Sequence, residues 1–235
     1  MSRRLPALLP ALLVAIALSA CGSSSASSST SSASSSSSSS SSTAAAAASN
    51  STTATPSANP QRLSYEGVPL EQGPSLGSPG TTGTSTVDGI MCGSTEQLAY
   101  HIHAHLAVYV SGRLYSLPAG IGIPGSVVQQ TSQGPVAAGG QCIYWLHTHT
   151  SDGVMHIESP TQRIYTLGNF FDEWHQPLSA TRVGTASGKI TAFLNGKLWT
   201  KSLRSIPLLP HALIQLNIGQ PAAPLLHIDW SRTGL

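Results

Sequence analysis

The sequence predicts a mainly β fold, a compact antiparallel sandwich or barrel of hairpins with one short helix. Short runs in which apolar and polar residues alternate are typical of half-buried strands. Between several of these runs stand dipeptides that favour tight turns, among them Ser111-Gly112 and Asn195-Gly196. The predicted strands are residues 99–110, 113–117, 142–150, 154–158, 162–166, 189–194, 197–200, 212–218 and 225–230.

The one short helix is predicted near residues 168–175. Phe170, Phe171 and Trp174 are spaced so that a single helical face would carry all three rings. Pro177 follows and prevents the helix from continuing. We expect this aromatic stripe to belong to the core and not to a binding surface.

Residues 1–20 have the pattern of a secretory signal peptide. Arg3 and Arg4 precede an apolar run from Leu5 to Leu18, and small residues follow. The alternative is an ordinary membrane-spanning anchor. The apolar run is shorter than the roughly 20 residues that a spanning helix needs, and it contains prolines.

The end of this segment, Leu18-Ser19-Ala20-Cys21, resembles the lipobox of bacterial lipoproteins. The resemblance implies cleavage before Cys21, diacylglycerol on its thiol and acylation of the new amino terminus. It therefore implies a protein anchored by lipid in the cell membrane, on the extracytoplasmic face of a bacterial envelope.

The chain after the signal divides into three parts by composition. Residues 21–59 are nearly all Ser, Ala and Thr, so we expect a disordered tether. A flexible chain of this length spans roughly 35 Å. Residues 60–89 are rich in Pro and Gly and are expected to be irregular or wrapped on the domain. Residues 90–235 then form the His-rich β domain, which is long enough for one core.

The three cysteines suggest one disulfide. Cys21 is assigned to the lipid, which leaves Cys92 and Cys142 as an even pair in an oxidising compartment. The alternative is that Cys142 is a copper ligand, because Cys142 and His147 have a cupredoxin-like spacing. Met155 lies too far along the chain to be the usual third ligand. We therefore expect a Cys92–Cys142 disulfide.

Charge points away from nucleic acid as a partner. The net charge is +2, only 9% of the residues are charged, and the lysines and arginines form no cluster. A nucleic-acid site would need such a basic patch. Membrane contact is expected to come from the lipid and not from an amphipathic helix.

The first of two histidine-rich segments is His101-Ile-His103-Ala-His105. Alternate residues of a strand share a face, so all three imidazoles should lie on one side. His101 and His105 would be about 13 Å apart on a straight strand, so at most two neighbours can share one ion.

The second segment contains His147, His149, His156 and Glu158. Asp152-Gly153 predicts a two-residue hairpin turn, which would pair His149 with His156 and His147 with Glu158. Directly opposed residues share a face with their Cβ atoms about 5 Å apart. The prediction is a square of three imidazoles and one carboxylate, a set that can coordinate a transition metal.

The two segments together predict a transition-metal site. The predicted ligands are a subset of His103, His105, His147, His149 and His156, with Glu158 as a ligand or as the partner that fixes an imidazole tautomer. Imidazole suits copper, zinc or iron, and copper or zinc is favoured. Calcium and magnesium are disfavoured because the cluster is rich in nitrogen and poor in carboxylate.

Three functions fit this pattern. The first is a membrane-tethered protein that captures or delivers a metal ion. The second is a secreted metalloenzyme, a hydrolase or oxidoreductase with a three-histidine site and Asp152, Glu158 or Glu173 as general base. The third is a surface interaction module whose histidines respond to pH.

Overall fold

The computed structural model describes residues 61–80 and 83–235. These residues confirm the predicted mainly β fold with one α-helix, and within them the several sheets do not close into a barrel. The lipoprotein-like signal, Cys21 and the Ser/Ala-rich segment lie outside the described residues. In the part of the chain that is described, no helix is both long enough and apolar enough to cross a membrane.

Most strands are short. In chain order they are β1 (Cys92–Gly93), β2 (Tyr100–Val110), β3 (Arg113–Tyr115), β4 (Val128–Thr131), β5 (Gly134–Ala137), β6 (Ile143–Tyr144), β7 (Leu146–His147), β8 (Val154–Ser159), β9 (Tyr165–Thr166), β10 (Arg182–Val183), β11 (Ala186–Ser187), β12 (Ile190–Leu194), β13 (Lys197–Trp199), β14 (Pro207–Leu208) and β15 (Ala212–Ile218). The helix α1 is Leu167–Glu173, and two short 3-10 helices are Leu203–Ser205 and Trp230–Arg232.

The main sheet has the strand order β13-β12-β15-β2-β8-β7, and β3 also pairs with β2. The long strand β2 pairs with β8 through residues 100–105 and with β3 through residues 108–110, both antiparallel. Its other edge pairs with β15, and this pairing is parallel, unlike the antiparallel arrangement expected. A parallel pair needs a long crossover connection, which residues 111–211 provide.

The two hairpins predicted from their turn residues are confirmed. β2 and β3 are joined by Ser111 and Gly112, and β12 and β13 by Asn195 and Gly196. The φ angles are 49° and 78° in the first turn and 50° and 73° in the second. Positive φ at both central residues is what a type I′ turn requires.

The predicted helix is also confirmed as α1, with a capping box at its start. The side chain of Thr166 accepts from the backbone N–H of Asn169, and the side chain of Asn169 accepts from the backbone N–H of Thr166. Phe170, Phe171 and Trp174 are fully buried and belong to the main apolar core, as predicted. The helix therefore packs against the apolar face of the main sheet.

Strand β2 has two chemically different faces. Ala104, Leu106 and Val108 point into the core, whereas the histidines occupy the opposite face. Segments near both ends of the domain, around Glu66 and Leu226, cover that opposite face. The Gln215 side chain on β15 accepts a hydrogen bond from the backbone of Leu226, and Glu66 reaches His156 on β8.

Residues 61–80 pack on the domain without forming a long strand. Val68, Leu70 and Leu76 are buried, and the backbone of Leu76 exchanges hydrogen bonds with residues 116 and 185. The carboxylate of Glu71 accepts from the backbone N–H of Leu117. This segment thus contributes both to the core and to the polar face of the sheet.

Three predicted strands differ in the structure. The predicted strand 162–166 is limited to β9, Tyr165–Thr166. The segment 142–150 is divided into β6, which pairs with β1, and β7, which pairs with β8, because its backbone changes partner at Trp145. Residues 225–229 form no strand, and a 3-10 helix begins at Trp230. Here the backbone N–H of Leu226 donates to the side chain of Gln215 and not to a neighbouring strand.

The Cys92–Cys142 disulfide is confirmed. It joins β1 to the residue that precedes β6, beside the pairing of Cys92 with Tyr144. The sulfur of Cys142 is therefore bonded, and it does not act as a thiolate ligand for copper.

Candidate metal centre

The hairpin that carries the second histidine segment has a different register from the one predicted. His147 lies opposite His156, and Leu146 lies opposite Ile157. The predicted pairs of His149 with His156 and of His147 with Glu158 are therefore wrong. The two strands are joined by residues 148–153 and not by a two-residue turn.

The longer connection arises because its backbone bonds to other parts of the chain. The backbone N–H of Thr148 donates to Ile121, and the carbonyl of His149 accepts from the N–H of Ala137. Of the predicted turn residues, only Gly153 has a positive φ, of 82°. A type I′ turn needs positive φ at both positions, so it does not form at Asp152-Gly153.

The imidazoles of both segments nevertheless converge around His156. Strand β8 lies between β7 and β2, with His147 opposite His156 on one side and His103 opposite it on the other. The ring centroid of His156 is 4.6 Å from that of His103, 4.7 Å from that of His149 and 5.2 Å from that of His147.

Three sets of side chains in the described residues bring ligand atoms within 4.8 Å of one another. Each combines residues that are distant in sequence but adjacent in the sheet or packed on it. The sets are His101, His103 and His156; His147, His149 and His156; and Glu96, His147 and Glu158. Most of these side chains are buried, so a bound ion would be largely shielded from water.

The orientations of His147 and His149 are set by backbone carbonyls. Nδ1 of His147 donates to the carbonyl oxygen of Tyr144 at 2.9 Å, and Nδ1 of His149 donates to that of Ala137 at 2.8 Å. A carbonyl oxygen can only accept, so each Nδ1 carries a hydrogen. In the neutral form of either ring, Nε2 then carries no hydrogen and has a free lone pair.

These two Nε2 atoms face each other at 3.2 Å. Nε2 of His149 is also 3.2 Å from a carboxylate oxygen of Glu96. Burial, followed by the charges of His156 and His149, lowers the pKa of His147 well below its usual value. Lone pairs directed at each other and at a carboxylate need a cation between them, either a metal ion or a proton. Burial of His147 disfavours the proton.

His156 lies between two carboxylates. Its Nδ1 is 3.2 Å from an oxygen of Glu158, and its Nε2 is 3.0 Å from an oxygen of Glu66. Burial alone would lower the pKa of His156, but the hydrogen bonds that the ring donates to both carboxylates outweigh it and raise that pKa to about 9. The ring is therefore a cation at neutral pH in the metal-free state, and a metal ion would have to displace its proton.

Glu158 occupies the middle of the cluster. One of its oxygens is 3.1 Å from Nε2 of His101, 3.2 Å from Nδ1 of His156 and 3.8 Å from Nε2 of His147. Its other oxygen is buried without a hydrogen-bond partner in the described residues. The geometry suits either role predicted for Glu158, as a ligand or as the partner of an imidazole.

The first histidine strand contributes a different pair from the one expected. Nε2 of His103 is 3.0 Å from Nε2 of His101. Burial, followed by the charges of His156 and His101, lowers the pKa of His103 to about 3. His101 lies at the rim with its side chain 36% exposed, and it belongs to the same set as His103.

His105 is not brought into any of the three sets. It lies opposite Val154, and its Nε2 donates to the backbone carbonyl of Asp152 at 2.8 Å. Burial lowers the pKa of His105 to about 4. The connection between β7 and β8 thus engages this ring and holds it away from the cluster.

Sequence reasoning missed two acidic members of the cluster, Glu66 and Glu96. Both lie in irregular segments, where no periodicity predicts which way a side chain points. One signal in the sequence could have pointed to them. Acidic residues are scarce in this chain, with only nine among its 235 residues. A carboxylate in such a chain is therefore informative wherever it occurs near the domain.

The other acids proposed as general bases lie elsewhere. Asp152 is fully buried, and burial, followed by the charge of Glu66, raises its pKa to about 7. Glu173 lies on α1, where burial raises its pKa well above the usual value. Neither lines the cleft beside the histidines.

That cleft has a volume of about 530 Å³ and separates the cluster from the β4–β5 hairpin. His101 and Glu96 stand at its edge with partly exposed side chains. The carbonyl of Ala137, at the end of β5, holds the ring of His149. An ion or small molecule could therefore reach the inner ligands from this side.

Comparisons of the chain with known protein families, curated proteins and solved structures found no match. The class of site is accordingly defined by its own residues. It is a buried cluster of imidazoles and carboxylates that could hold a metal ion. A donor set of nitrogen and oxygen without thiolate suits borderline transition metals.

Proposed function

We propose that the protein is a lipid-anchored extracytoplasmic lipoprotein whose β domain captures a transition metal ion, with zinc or copper favoured, and holds it for delivery. The observation that carries the metal function is the pair of Nε2 atoms of His147 and His149. They lie 3.2 Å apart, and each ring is fixed by a backbone carbonyl. The lipid anchor rests on the sequence Leu18-Ser19-Ala20-Cys21.

The distance between these atoms supports coordination. With zinc–nitrogen bonds of about 2.05 Å, two ligands of a tetrahedral site lie about 3.3 Å apart. Two imidazoles already held near that separation lose little conformational freedom on binding. The hydrogen bonds that Nδ1–H of each ring donates to a carbonyl also raise the basicity of its Nε2 atom, as is usual for metal-bound histidines.

A metalloenzyme is the second candidate, because a cleft of about 530 Å³ lies directly against the cluster. Glu96 and Glu158 are the carboxylates nearest to it and would be the general-base candidates. Capture is preferred because most of the ligand atoms are buried, so few coordination positions face the cleft. The candidates differ in whether the metal-loaded protein turns over a substrate.

Metal titration tests the proposal. Full-length protein, extracted in detergent and stripped with EDTA, is titrated calorimetrically with Zn²⁺ and separately with Cu²⁺. We expect stoichiometric uptake. At the site that these two histidines form, the double variant His147→Gln/His149→Gln should bind at least about 100-fold more weakly, because the loss of two direct ligands must exceed that of losing a hydrogen-bond partner of a ligand.

His227→Gln is the matched control, since His227 is exposed and belongs to none of the three ligand sets. It should bind like the wild type. Equal stoichiometry and equal affinity of the wild type and the double variant would overturn the metal function proposed for this pair. Hydrolytic or oxidative turnover by the loaded wild type would favour the enzyme.

The anchor is tested separately with Cys21→Ser. Wild-type protein expressed in a bacterial host should fractionate with the membrane and incorporate labelled palmitate. The variant should incorporate none and leave the membrane fraction. Unlabelled wild-type protein would contradict the lipoprotein proposal and leave the metal proposal standing.

A further inference from the structure

We propose that the cluster is built for two metal ions, one on each side of His156, with Glu158 between them. This inference rests on the proposed metal function and specifies the kind of centre. One ion would be held by the pair of His101 and His103, and the other by the pair of His147 and His149.

The number of donors is the first argument. The cluster contains the imidazoles of five histidines and the carboxylates of three glutamates, linked by contacts of 3.0–3.8 Å. A tetrahedral ion takes four ligands. A single ion bound by one histidine pair would leave the Nε2 atoms of the other pair without a metal ion.

The second argument is that the donors form two separate pairs. The Nε2 atoms are 3.0 Å apart in the first pair and 3.2 Å apart in the second. Both values are close to the roughly 3.3 Å expected between two ligands of one zinc ion. In the described residues, no set of mutually close ligand atoms combines the pairs, and His156 joins each of them separately.

The sheet explains this separation. Strand β8 carries His156, and it lies between β2, which carries the first pair, and β7, which carries His147. The rings of His101 and His147 stack against His156, with centroids 6.1 Å and 5.2 Å from its own. Because the three strands are successive in the sheet, the two pairs lie on opposite sides of His156.

Glu158 is placed to serve both ions. A single oxygen of its carboxylate is 3.1 Å from Nε2 of His101 and 3.8 Å from Nε2 of His147, one member of each pair. Carboxylates often bridge the ions of two-metal sites, which lie about 3.5–4 Å apart. Glu66 contacts His156, and Glu96 contacts His149.

Charge balance is compatible with two ions. The three glutamates of the cluster carry a formal charge of −3 when ionised. One divalent ion balances this charge only if His156 keeps its proton, and a protonated His156 is not a ligand. Two divalent ions give a net charge of about +1, which a hydroxide or an anion from the cleft could neutralise.

Stoichiometry tests the inference. EDTA-stripped full-length protein is loaded with excess Zn²⁺, passed through gel filtration and analysed for zinc by mass spectrometry. We expect two ions per chain in the wild type and in the control His227→Gln. The variants His101→Gln/His103→Gln and His147→Gln/His149→Gln should each retain one. One ion in the wild type overturns this inference alone, whereas none overturns the metal function itself.

A measurement on the wild type covers the case in which a double variant fails to fold. With Cu²⁺, a carboxylate-bridged pair of ions is magnetically coupled. The electron paramagnetic resonance signal per copper should therefore fall by at least about half between one and two equivalents. Full signal from two ions would overturn the bridged arrangement. The single variant His101→Gln, at the exposed rim, should keep full signal because only one ion remains.

Discussion

His147 and His149 direct their Nε2 atoms at each other across 3.2 Å, while the Nδ1 atom of each donates to a backbone carbonyl. The two carbonyls belong to Tyr144 and Ala137, which lie in different segments of the chain. The backbone therefore determines which nitrogen of each ring can bind a cation. Metal affinity should depend on this orientation as well as on the ligands themselves.

Metal binding should raise thermal stability. At a metal concentration of about 100 times Kd, binding stabilises the folded state by about 2.7 kcal/mol. For a domain of this size that corresponds to a rise in Tm of about 5–10 °C. Calorimetry with Zn²⁺ and with EDTA measures it. His149→Gln should lose the part of the rise that its own site contributes, and His227→Gln should keep the whole rise. A rise of equal size in both variants would contradict the assignment of His149 as a ligand.

Glu66→Gln should lower the pKa of His156 in the metal-free protein. The hydrogen bond to Glu66, at 3.0 Å, is one of the two that raise this pKa to about 9. A neutral amide leaves only Glu158 to stabilise the imidazolium. NMR titration of the His156 ring in the wild type and in the variant follows the change directly. An unchanged His156 pKa would show that Glu66 does not interact with the ring.

His105 should make the metal-free protein less stable towards acid. Its folded pKa is about 4, below the usual 6.5, so between these values only the unfolded state binds the proton. Stability from this group is present above pH 6.5 and is lost as pH falls to 4. Over that range the wild type should lose about 3 kcal/mol relative to His105→Gln. Urea denaturation of both proteins at several pH values in EDTA tests this, and parallel pH profiles would contradict it.

Gly153→Ala should be strongly destabilising. A Cβ atom there would lie 2.5 Å from Nε2 of His105 and 2.8 Å from the carbonyl oxygen of Leu106, and φ is 82°. We expect a loss of about 2–4 kcal/mol. Gly139→Ala is the control, since its Cβ would meet nothing within 4 Å, and it should change stability by less than about 0.5 kcal/mol. Similar urea midpoints for both variants would mean that the chain at Gly153 can move away.

Loss of the disulfide should cost about 4 kcal/mol, because the bond closes a loop with a sequence separation of 50. The double variant Cys92→Ser/Cys142→Ser should therefore unfold at lower urea concentration than the wild type. Glu96 follows β1 closely, so the variant should also bind Zn²⁺ more weakly. If reduction of the wild type leaves its urea midpoint unchanged, the disulfide contributes nothing to folding.

The faces of the strands could be predicted from sequence, because side chains alternate strictly along a strand. This is why the sequence places the histidines of β2 on one side of the strand. The predicted bounds of β12 and β15 also agree with the observed bounds to within one residue. The same rule does not say which strand lies next to which. The parallel pairing of β15 with β2 depends on the whole course of the chain between them.

The register of the second histidine hairpin could not be predicted from its own residues. Asp152-Gly153 favours a tight turn locally, but the backbone of residues 148–150 bonds to Ile121 and Ala137 instead. Those contacts depend on a distant loop. As a result, His147 opposes His156. The cluster also contains His101, whereas His105, which was predicted as a ligand, lies outside it. Glu66 and Glu96 were missed because irregular segments have no period that fixes where a side chain points.

The ligand candidates run from Glu66 to Glu158 and sit on stretches of chain that meet only after β2, β8 and β7 have paired. An unfolded polypeptide lacks this convergence and can offer an ion only imidazoles that are near one another in sequence, such as those of His101, His103 and His105. Under the proposed function the complete site exists only after the sheet has assembled, so the metal supply of the compartment where the domain folds would decide which ion it takes up.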